Sequence, residues 1–245
     1  MRNIKIFLVI FLCFGWCSAE NLLPSYIKPC IKSDPQIHKC VQENIKILRP
    51  KLKVGIPALF IPPLDPLVLP PTPINEGDQV TVTFTDIEIY NADEFYLDEF
   101  AMDFVQNRVN LSIRFPYLRI KSKYNIRGRF LLVDHNETGP ADGNYTNFRV
   151  NLTLRGTPFT VNQKSYIKWK NETISIEIGD SQLELEGLFG NHTEISEKTN
   201  KLINENFNLI IADLKPVLQD VVSNFVSGIV NNLFASYTLT DLFKQ

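Results

Sequence analysis

The sequence predicts an α+β fold, in which a strongly curved antiparallel β-sheet wraps one long C-terminal helix in an elongated single domain. Two changes of hydrophobic period indicate this. Apolar and polar residues alternate between Gln79 and Glu186, which is typical of strands with one dry and one wet face. From Ile195 to Phe234 apolar residues recur at helical spacing, on a stripe wide enough to be buried on more than one side.

The first residues have the pattern of a secretory signal peptide. Two basic residues precede an apolar run from Ile6 to Trp16, and Cys17–Ala19 supplies small residues for a cleavage site. A membrane anchor is the alternative, but the run is short for a bilayer span. We therefore expect residues 1–19 to be removed and residues 20–245 to form the mature, secreted, extracellular domain.

Charge and cysteine content narrow the function classes. Without the leader, 23 basic residues face 27 acidic ones, so the net charge is about −4. This balance gives no reason to expect nucleic acid as a partner or an anionic membrane surface. Cys30 and Cys40 remain, and in an oxidising compartment they predict one disulfide. A metal site is disfavoured, because His38 would be the one nearby third ligand.

Sequons for N-glycosylation recur through the predicted sheet, and each marks an asparagine expected to face solvent. Asn110 and Asn151 fall on the wet side of their strands, whereas Asn136 and Asn144 are expected in a polar loop. The six asparagines are Asn110, Asn136, Asn144, Asn151, Asn171 and Asn191.

Shorter elements complete the pattern. Helical spacing predicts a helix over Cys40–Leu52 and a second short helical segment over Leu22–Lys28. Gly55–Pro70 is rich in proline yet apolar, which predicts an extended, ordered segment lying on the core. A slip of the alternation at Asp86 predicts a β-bulge.

The long C-terminal pattern dictates the overall shape. A continuous helix of about 40 residues reaches about 60 Å, so it must run the length of the molecule. Pro216 interrupts the pattern and should kink or stagger this helix.

Four blocks, in order, resemble the insect takeout and juvenile-hormone-binding protein (JHBP) family. They are the Cys30/Cys40 pair, the segment Gly55–Pro70 (GIPALFIPPLDPLVLP), the landmarks Asn204–Phe207, Leu214–Pro216 and Asn232–Phe234, and the terminal Asp241–Phe243. The lack of a second disulfide brings the chain closer to the takeout branch. The resemblance implies a super-roll, TULIP-like fold that encloses an elongated apolar tunnel between sheet and helix.

The resemblance also implies a function: a monomeric carrier of a small hydrophobic ligand, such as a juvenile-hormone-like terpenoid, a fatty acid or a similar lipid, without a cofactor. The family is associated with juvenile hormone, feeding, chemosensory and circadian physiology. Tyr117 and Tyr124 are candidate polar anchors for the ligand. The candidate lining residues, each of which also suits a packed core, are Phe84, Leu111, Ile113, Phe115, Phe148, Val150, Leu152, Phe207, Ile210, Leu214, Leu218 and Phe225.

Other function classes have less support. The chain carries no hydrolase, zinc-protease or nucleotide-binding motif, so no catalytic or metal-binding residues are predicted. The acidic pairs Asp93–Glu94 and Asp98–Glu99 are interpreted as residues of a turn between strands. Stable membrane insertion is not expected. The alternative function is a secreted glycoprotein that binds a protein partner and has a filled core.

Overall fold

The computed structural model describes residues 23–76, 80–130, 133–161, 164–190 and 192–245. In these ranges the helices are α1 (Ile37–Leu52), α2 (Thr193–Glu205), α3 (Phe207–Ser236) and α4 (Leu239–Leu242). The strands are β1 (Cys30–Ile31), β2 (Leu67–Leu69), β3 (Thr72–Glu76), β4 (Val80–Tyr90), β5 (Tyr96–Asp103), β6 (Arg108–Phe130), β7 (Val133–Val161), β8 (Lys164–Glu177), β9 (Ser181–Leu185) and β10 (Phe243–Lys244). The expected signal peptide, Gln79 and Asn191 lie outside the described residues.

The large sheet is antiparallel and follows the order β2-β4-β6-β7-β8. The longest pairing in this sheet joins β6 and β7, and it runs from Arg108 opposite Arg155 to Phe130 opposite Val133. Shorter strands extend it at the edges: β5 pairs with the first half of β6, β3 with β4, and β9 with β7. The predicted α+β fold, with a curved antiparallel sheet and a long C-terminal helix, is confirmed.

In both β6 and β7 the alternation of inward- and outward-pointing side chains slips by one residue, and the two slips lie at paired positions. In β6 the partly buried Phe115 and the buried Leu118 are separated by the exposed Pro116 and Tyr117. In β7, Asn147 stands opposite this step with a φ of 50°. Because the slip occurs in both strands at paired positions, the register between β6 and β7 continues, and the apolar residues keep pointing toward the helix.

The β-bulge expected at Asp86 is confirmed. The register of β4 against β6 shifts between Thr85 and Glu88, and Asp86 has a φ of 50°. The expectation that Asn136 and Asn144 lie in a loop is wrong, because both lie within β7 and pair with β6. Gly139, in the same segment, has a packing role: a Cβ there would collide with the carbonyl oxygen of Glu186.

The C-terminal helical region consists of two helices, α2 and α3, and the kink or stagger expected at Pro216 stays a prediction. Asn206 separates α2 from α3, and its Nδ2 donates to the Leu202 carbonyl at 2.8 Å. Pro216 lies inside α3 without dividing it. The expectation of one continuous helix of about 40 residues is therefore wrong. The 30 residues of α3 span about 45 Å.

The N-terminal third packs against the end of α3. The predicted helix is present as α1, whereas residues 23–28 form a turn, so the short helix expected there is wrong. The disulfide between Cys30 and Cys40 is confirmed. The proline-rich segment lies on the core as expected, with a 3-10 turn at Pro57–Leu59 and the short strand β2. The Tyr237 hydroxyl, just beyond α3, donates to the Ala58 carbonyl at 3.0 Å.

Candidate ligand-binding interior

The inner face of the sheet and α3 enclose the interior of the molecule. Helix α3 lies along the edge strand β8 and approaches the other strands less closely. Side chains from α3 and from the inner faces of β6 and β7 pack in one cluster across this spacing. The strand residues predicted to line a tunnel share this inner face: Leu111, Ile113 and Phe115 on β6, and Phe148, Val150 and Leu152 on β7.

The apolar residues of α3 are incompletely covered. Phe207 and Phe234 are buried, but Ile210, Leu214 and Phe225, like most of the other large apolar residues of this helix, keep part of their surface accessible. A helix that is apolar on several sides is normally fully covered by its neighbours. Here Ile210, Leu214 and Phe225 keep surface that the protein's own side chains do not cover.

Packed clusters occupy the two ends of this interior. Near α2, Tyr124, Leu185 and Leu188 form a buried cluster against which Phe84 packs. Toward the other end of α3, Leu218 and the residues after it pack on buried side chains that include Val150 and Leu152. Phe115 lies among aromatic rings there, 6.0 Å from Phe95 and 6.1 Å from Phe148 between ring centroids.

Between these clusters a cavity of about 220 Å³ opens beside the first half of α3. Its lining is apolar on the strand side and polar at several points of the rim. The lining residues are Ile176, Glu177, Ile178, Asn208, Ile211, Ala212 and Lys215.

The two predicted tyrosine anchors lie elsewhere. Tyr117 is on the outer face, where its hydroxyl donates to Oδ1 of Asn144 at 2.5 Å, so the expectation that it faces the tunnel is wrong. Tyr124 is 1 % exposed and donates to the Glu186 carbonyl at 2.7 Å. Its hydroxyl is therefore already used inside the packed end cluster.

Tyr145 is the tyrosine that the sequence reasoning missed. Its ring lies 5.9 Å from that of Phe207, between centroids, and its hydroxyl makes no hydrogen bond to another described residue. Burial raises the pKa of Tyr145 to about 12, so the hydroxyl is a proton donor at physiological pH. The strand alternation of Gly143 and Tyr145 with Asn144 was the available signal, but the expected loop concealed it.

Asparagine side chains fasten the helices to the sheet edges. Asn204 accepts from the Leu183 N–H and donates to the Leu183 carbonyl, both at 2.7 Å. Asn200 forms the same two-point clamp on Leu185, at 2.9 and 3.0 Å. These side chains replace the strand partner that an edge lacks, and so satisfy backbone groups that would otherwise be exposed.

Helix α1 covers the opposite edge in a similar way. His38 Nδ1 accepts from the Phe100 N–H at 3.0 Å, and Gln42 donates to the Leu97 carbonyl at 2.8 Å. Arg49 donates to the carbonyls of Asp93 and Phe95. The histidine therefore has a structural role along β5.

The acidic residues singled out in the sequence lie in β5 and in the turn before it. Asp98 lies in β5, where it makes a two-point ion pair with Arg114 at 2.8 and 3.1 Å, so its placement in a turn is wrong. Asp93 and Glu94 do lie in the turn between β4 and β5. Among the described residues, no group of three or more His, Cys, Asp and Glu side chains is placed to hold a metal ion.

The sequons differ in their surroundings. Asn110 and Asn136 are exposed, and Asn151 accepts from Ser112 on the outer face. Asn171 is turned toward α3, where its Nδ2 donates to Ser223 and its Oδ1 is buried. The expectation that Asn171 faces solvent is therefore wrong, whereas glycan occupancy at the other sites stays a prediction.

A sequence profile described as haemolymph juvenile hormone binding protein (JHBP) matches residues 7–244. The chain belongs to the JHBP family. It is 20 % identical to circadian clock-controlled protein daywake of Drosophila melanogaster over 260 aligned positions, covering 100 % of this chain and 99 % of the relative. The daywake protein of Drosophila yakuba is 20 % identical over 237 positions, with 92 % and 90 % covered.

A solved structure confirms the JHBP-type fold. The crystal structure of Takeout 1 from Epiphyas postvittana superposes with a TM-score of 0.69 at 14 % identity, covering 84 % of this chain and 96 % of that protein. Across the part of the chain that the structure describes, none of the helices combines the length and apolar character needed to cross a bilayer.

Proposed function

We propose that this JHBP-family protein is a secreted carrier that holds a small hydrophobic ligand between α3 and the inner face of the sheet. The observation that supports this most directly is the incomplete burial of α3. Phe225 packs against the buried core, and Ile210, Leu214 and Phe225 each retain accessible surface. A hydrocarbon ligand would remove that surface from water without bringing polar groups of its own into the apolar site, unlike a polar ligand.

The energetics suit a chain or terpenoid of moderate length. Each buried CH₂ contributes about 0.8 kcal/mol, so a ligand of about fifteen carbons gains roughly 10 kcal/mol before the costs of association. Those costs, and the ordering of the ligand, leave an expected affinity between micromolar and nanomolar. A juvenile-hormone-like terpenoid, a fatty acid or a similar lipid fits this range.

We assign Tyr145 as the polar contact of the site. Its hydroxyl is inward and without a partner among the described residues, and it remains protonated. It can donate to an ester, acid or carbonyl oxygen of the ligand. The aliphatic and aromatic lining would then select for length and shape, and Tyr145 for the position of one oxygen.

Native mass spectrometry of the secreted protein, followed by organic extraction, tests the carrier function. We expect a hydrophobic molecule at up to one equivalent. A protein that carries nothing and also fails to bind terpenoid and fatty-acid probes would contradict the proposal, and would favour a protein partner instead.

A further inference from the structure

We propose that the ligand enters and leaves through the side of the molecule, at the seam between the end of β8 and the first half of α3. The proposal rests on the carrier function above and adds the route to the site. The term seam is used for the cavity lined by Ile176, Glu177, Ile178, Asn208, Ile211, Ala212 and Lys215.

The seam is the stretch of the helix–sheet junction that side chains leave unfastened. On one side, Asn200 and Asn204 clamp the backbone of β9. On the other side, Gln219 donates to the Ile174 carbonyl at 3.0 Å and Asn231 clamps Trp169. Among the described side chains between positions 204 and 219, none donates to or accepts from a strand backbone. The junction can therefore open here without breaking such a bond.

The edge of the sheet is also interrupted at this level. Strand β8 ends at Glu177 and β9 begins at Ser181. The connection is tied to β7, because the Gly179 N–H donates to the Thr146 carbonyl at 3.0 Å and the Thr146 N–H to the Asp180 carbonyl at 2.9 Å. These bonds fix the connection to β7 and do not involve α3.

The lining of the seam suits an entrance. Asn208 and Lys215 are exposed at the rim, whereas Ile176 is 1 % exposed at the floor. Its volume of about 220 Å³ is below the roughly 300–1,000 Å³ of a pocket that holds a whole drug-sized ligand. The seam therefore accommodates a part of the ligand, as a passage does.

The seam leads to the proposed polar contact. Asn208 at the rim follows Phe207, whose ring packs on Tyr145. Tyr145 in turn pairs with Ser181, just after the interruption of the sheet edge. A ligand that passes between Ile178 and Ile211 therefore reaches the Tyr145–Phe207 pair first.

Stopped-flow binding of the fluorescent probe N-phenyl-1-naphthylamine tests the route. Ala212→Trp narrows the seam, and Ala235→Trp makes the same change at an exposed position of α3 away from it. We expect Ala212→Trp to lower the association and dissociation rate constants together, by about tenfold or more, with the Kd changed less than about twofold. Ala235→Trp should leave both rates unchanged.

Asn208→Trp, one helical turn before Ala212 on the same side of the seam, provides a second obstruction if Ala212→Trp folds poorly. Rates for the folded seam variants equal to those of Ala235→Trp would overturn the lateral route while leaving the carrier function intact. A wild-type protein that binds neither the probe nor an extractable lipid would overturn the carrier function, and the route with it.

Discussion

Asn231 of α3 clamps the backbone of Trp169 on β8. Its Oδ1 accepts from the Trp169 N–H at 2.8 Å, and its Nδ2 donates to the Trp169 carbonyl at 2.9 Å. On its other side Trp169 pairs with Gly156 of β7. One amide side chain thus completes the hydrogen bonding of an edge strand and fixes the helix to the sheet.

Replacing Asn231 by Ala should destabilise the fold by about 2 kcal/mol, because a part-buried backbone donor and acceptor lose their partners. Asn224→Ala is the control, since Asn224 is exposed on the same helix and makes no hydrogen bond to another described residue. Urea denaturation measures the difference. Equal midpoints for the two variants would show that the clamp contributes nothing.

Leu214→Arg should abolish ligand binding or folding, because an unpaired charge would lie beside the apolar interior. Leu209→Arg is the matched control on the same helix, where Leu209 is 70 % exposed. Circular dichroism and probe titration separate the two effects. Normal probe affinity in a folded Leu214→Arg variant would place the ligand elsewhere.

Tyr145→Phe and Tyr124→Phe should have opposite effects. Loss of the Tyr145 hydroxyl, which has no described hydrogen-bond partner, should leave stability nearly unchanged and weaken binding of an oxygen-bearing ligand by about tenfold. Loss of the Tyr124 hydroxyl removes its bond to the Glu186 carbonyl and should cost about 1 kcal/mol of stability, with affinity retained. Titrations with a terpenoid acid and urea melts measure both. Identical affinities would remove Tyr145 from the site.

Asp65→Asn should make stability less dependent on pH in acid. The Lys53 ammonium, 2.9 Å away, holds the pKa of Asp65 below 3.8. A carboxyl with a lowered folded-state pKa stabilises the fold fully above the unfolded value, and this contribution is lost as pH falls through the lowered pKa. The variant should therefore be less stable than wild type at pH 7, with the gap narrowing as pH falls below 3.8 toward the lowered pKa.

Denaturation midpoints at pH 7, 5, 4 and 3 measure this gap. Asp180→Asn serves as the control, because Asp180 is exposed and its carboxylate has no partner among the described residues. A gap for Asp65→Asn that is the same at every pH would assign its effect to packing instead of charge.

Replacing both Cys30 and Cys40 by serine should lower the free energy of unfolding by roughly 2–3 kcal/mol, which is the value that the chain-entropy model gives for a loop of this length. The interior lining is untouched, so the affinity of the folded protein for N-phenyl-1-naphthylamine should persist. Loss of affinity in the folded double variant would connect the N-terminal segment to the site.

The sequence predicted those features that one strand or one helix encodes by itself. Alternation located the strands, and the slip at Asp86 marked a real bulge. The prediction of a loop near Gly139 was wrong. In a sequence, a glycine required for a close tertiary contact looks the same as a glycine required for a turn. Which of these a glycine does depends on a partner far along the chain, here Glu186.

The candidate site was predicted only on its apolar side. Inward strand residues such as Ile113 follow from alternation, but the clamps by Asn200, Asn204 and Asn231 were missed. An asparagine on a wide apolar helix looks like an interruption of the stripe. The signal was present, because a polar residue that is placed toward a sheet needs a backbone partner there.

The pairing of β1 with β10 sets an order of events in the making of the molecule. Cys30 pairs with Phe243, 213 residues later, whereas the disulfide closes a separation of 10 residues. The covalent loop can close early during synthesis, while its strand partner is not yet translated. The N-terminal segment therefore cannot acquire its strand partner until the C-terminal residues have been made, and this small sheet is among the last parts of the fold to form.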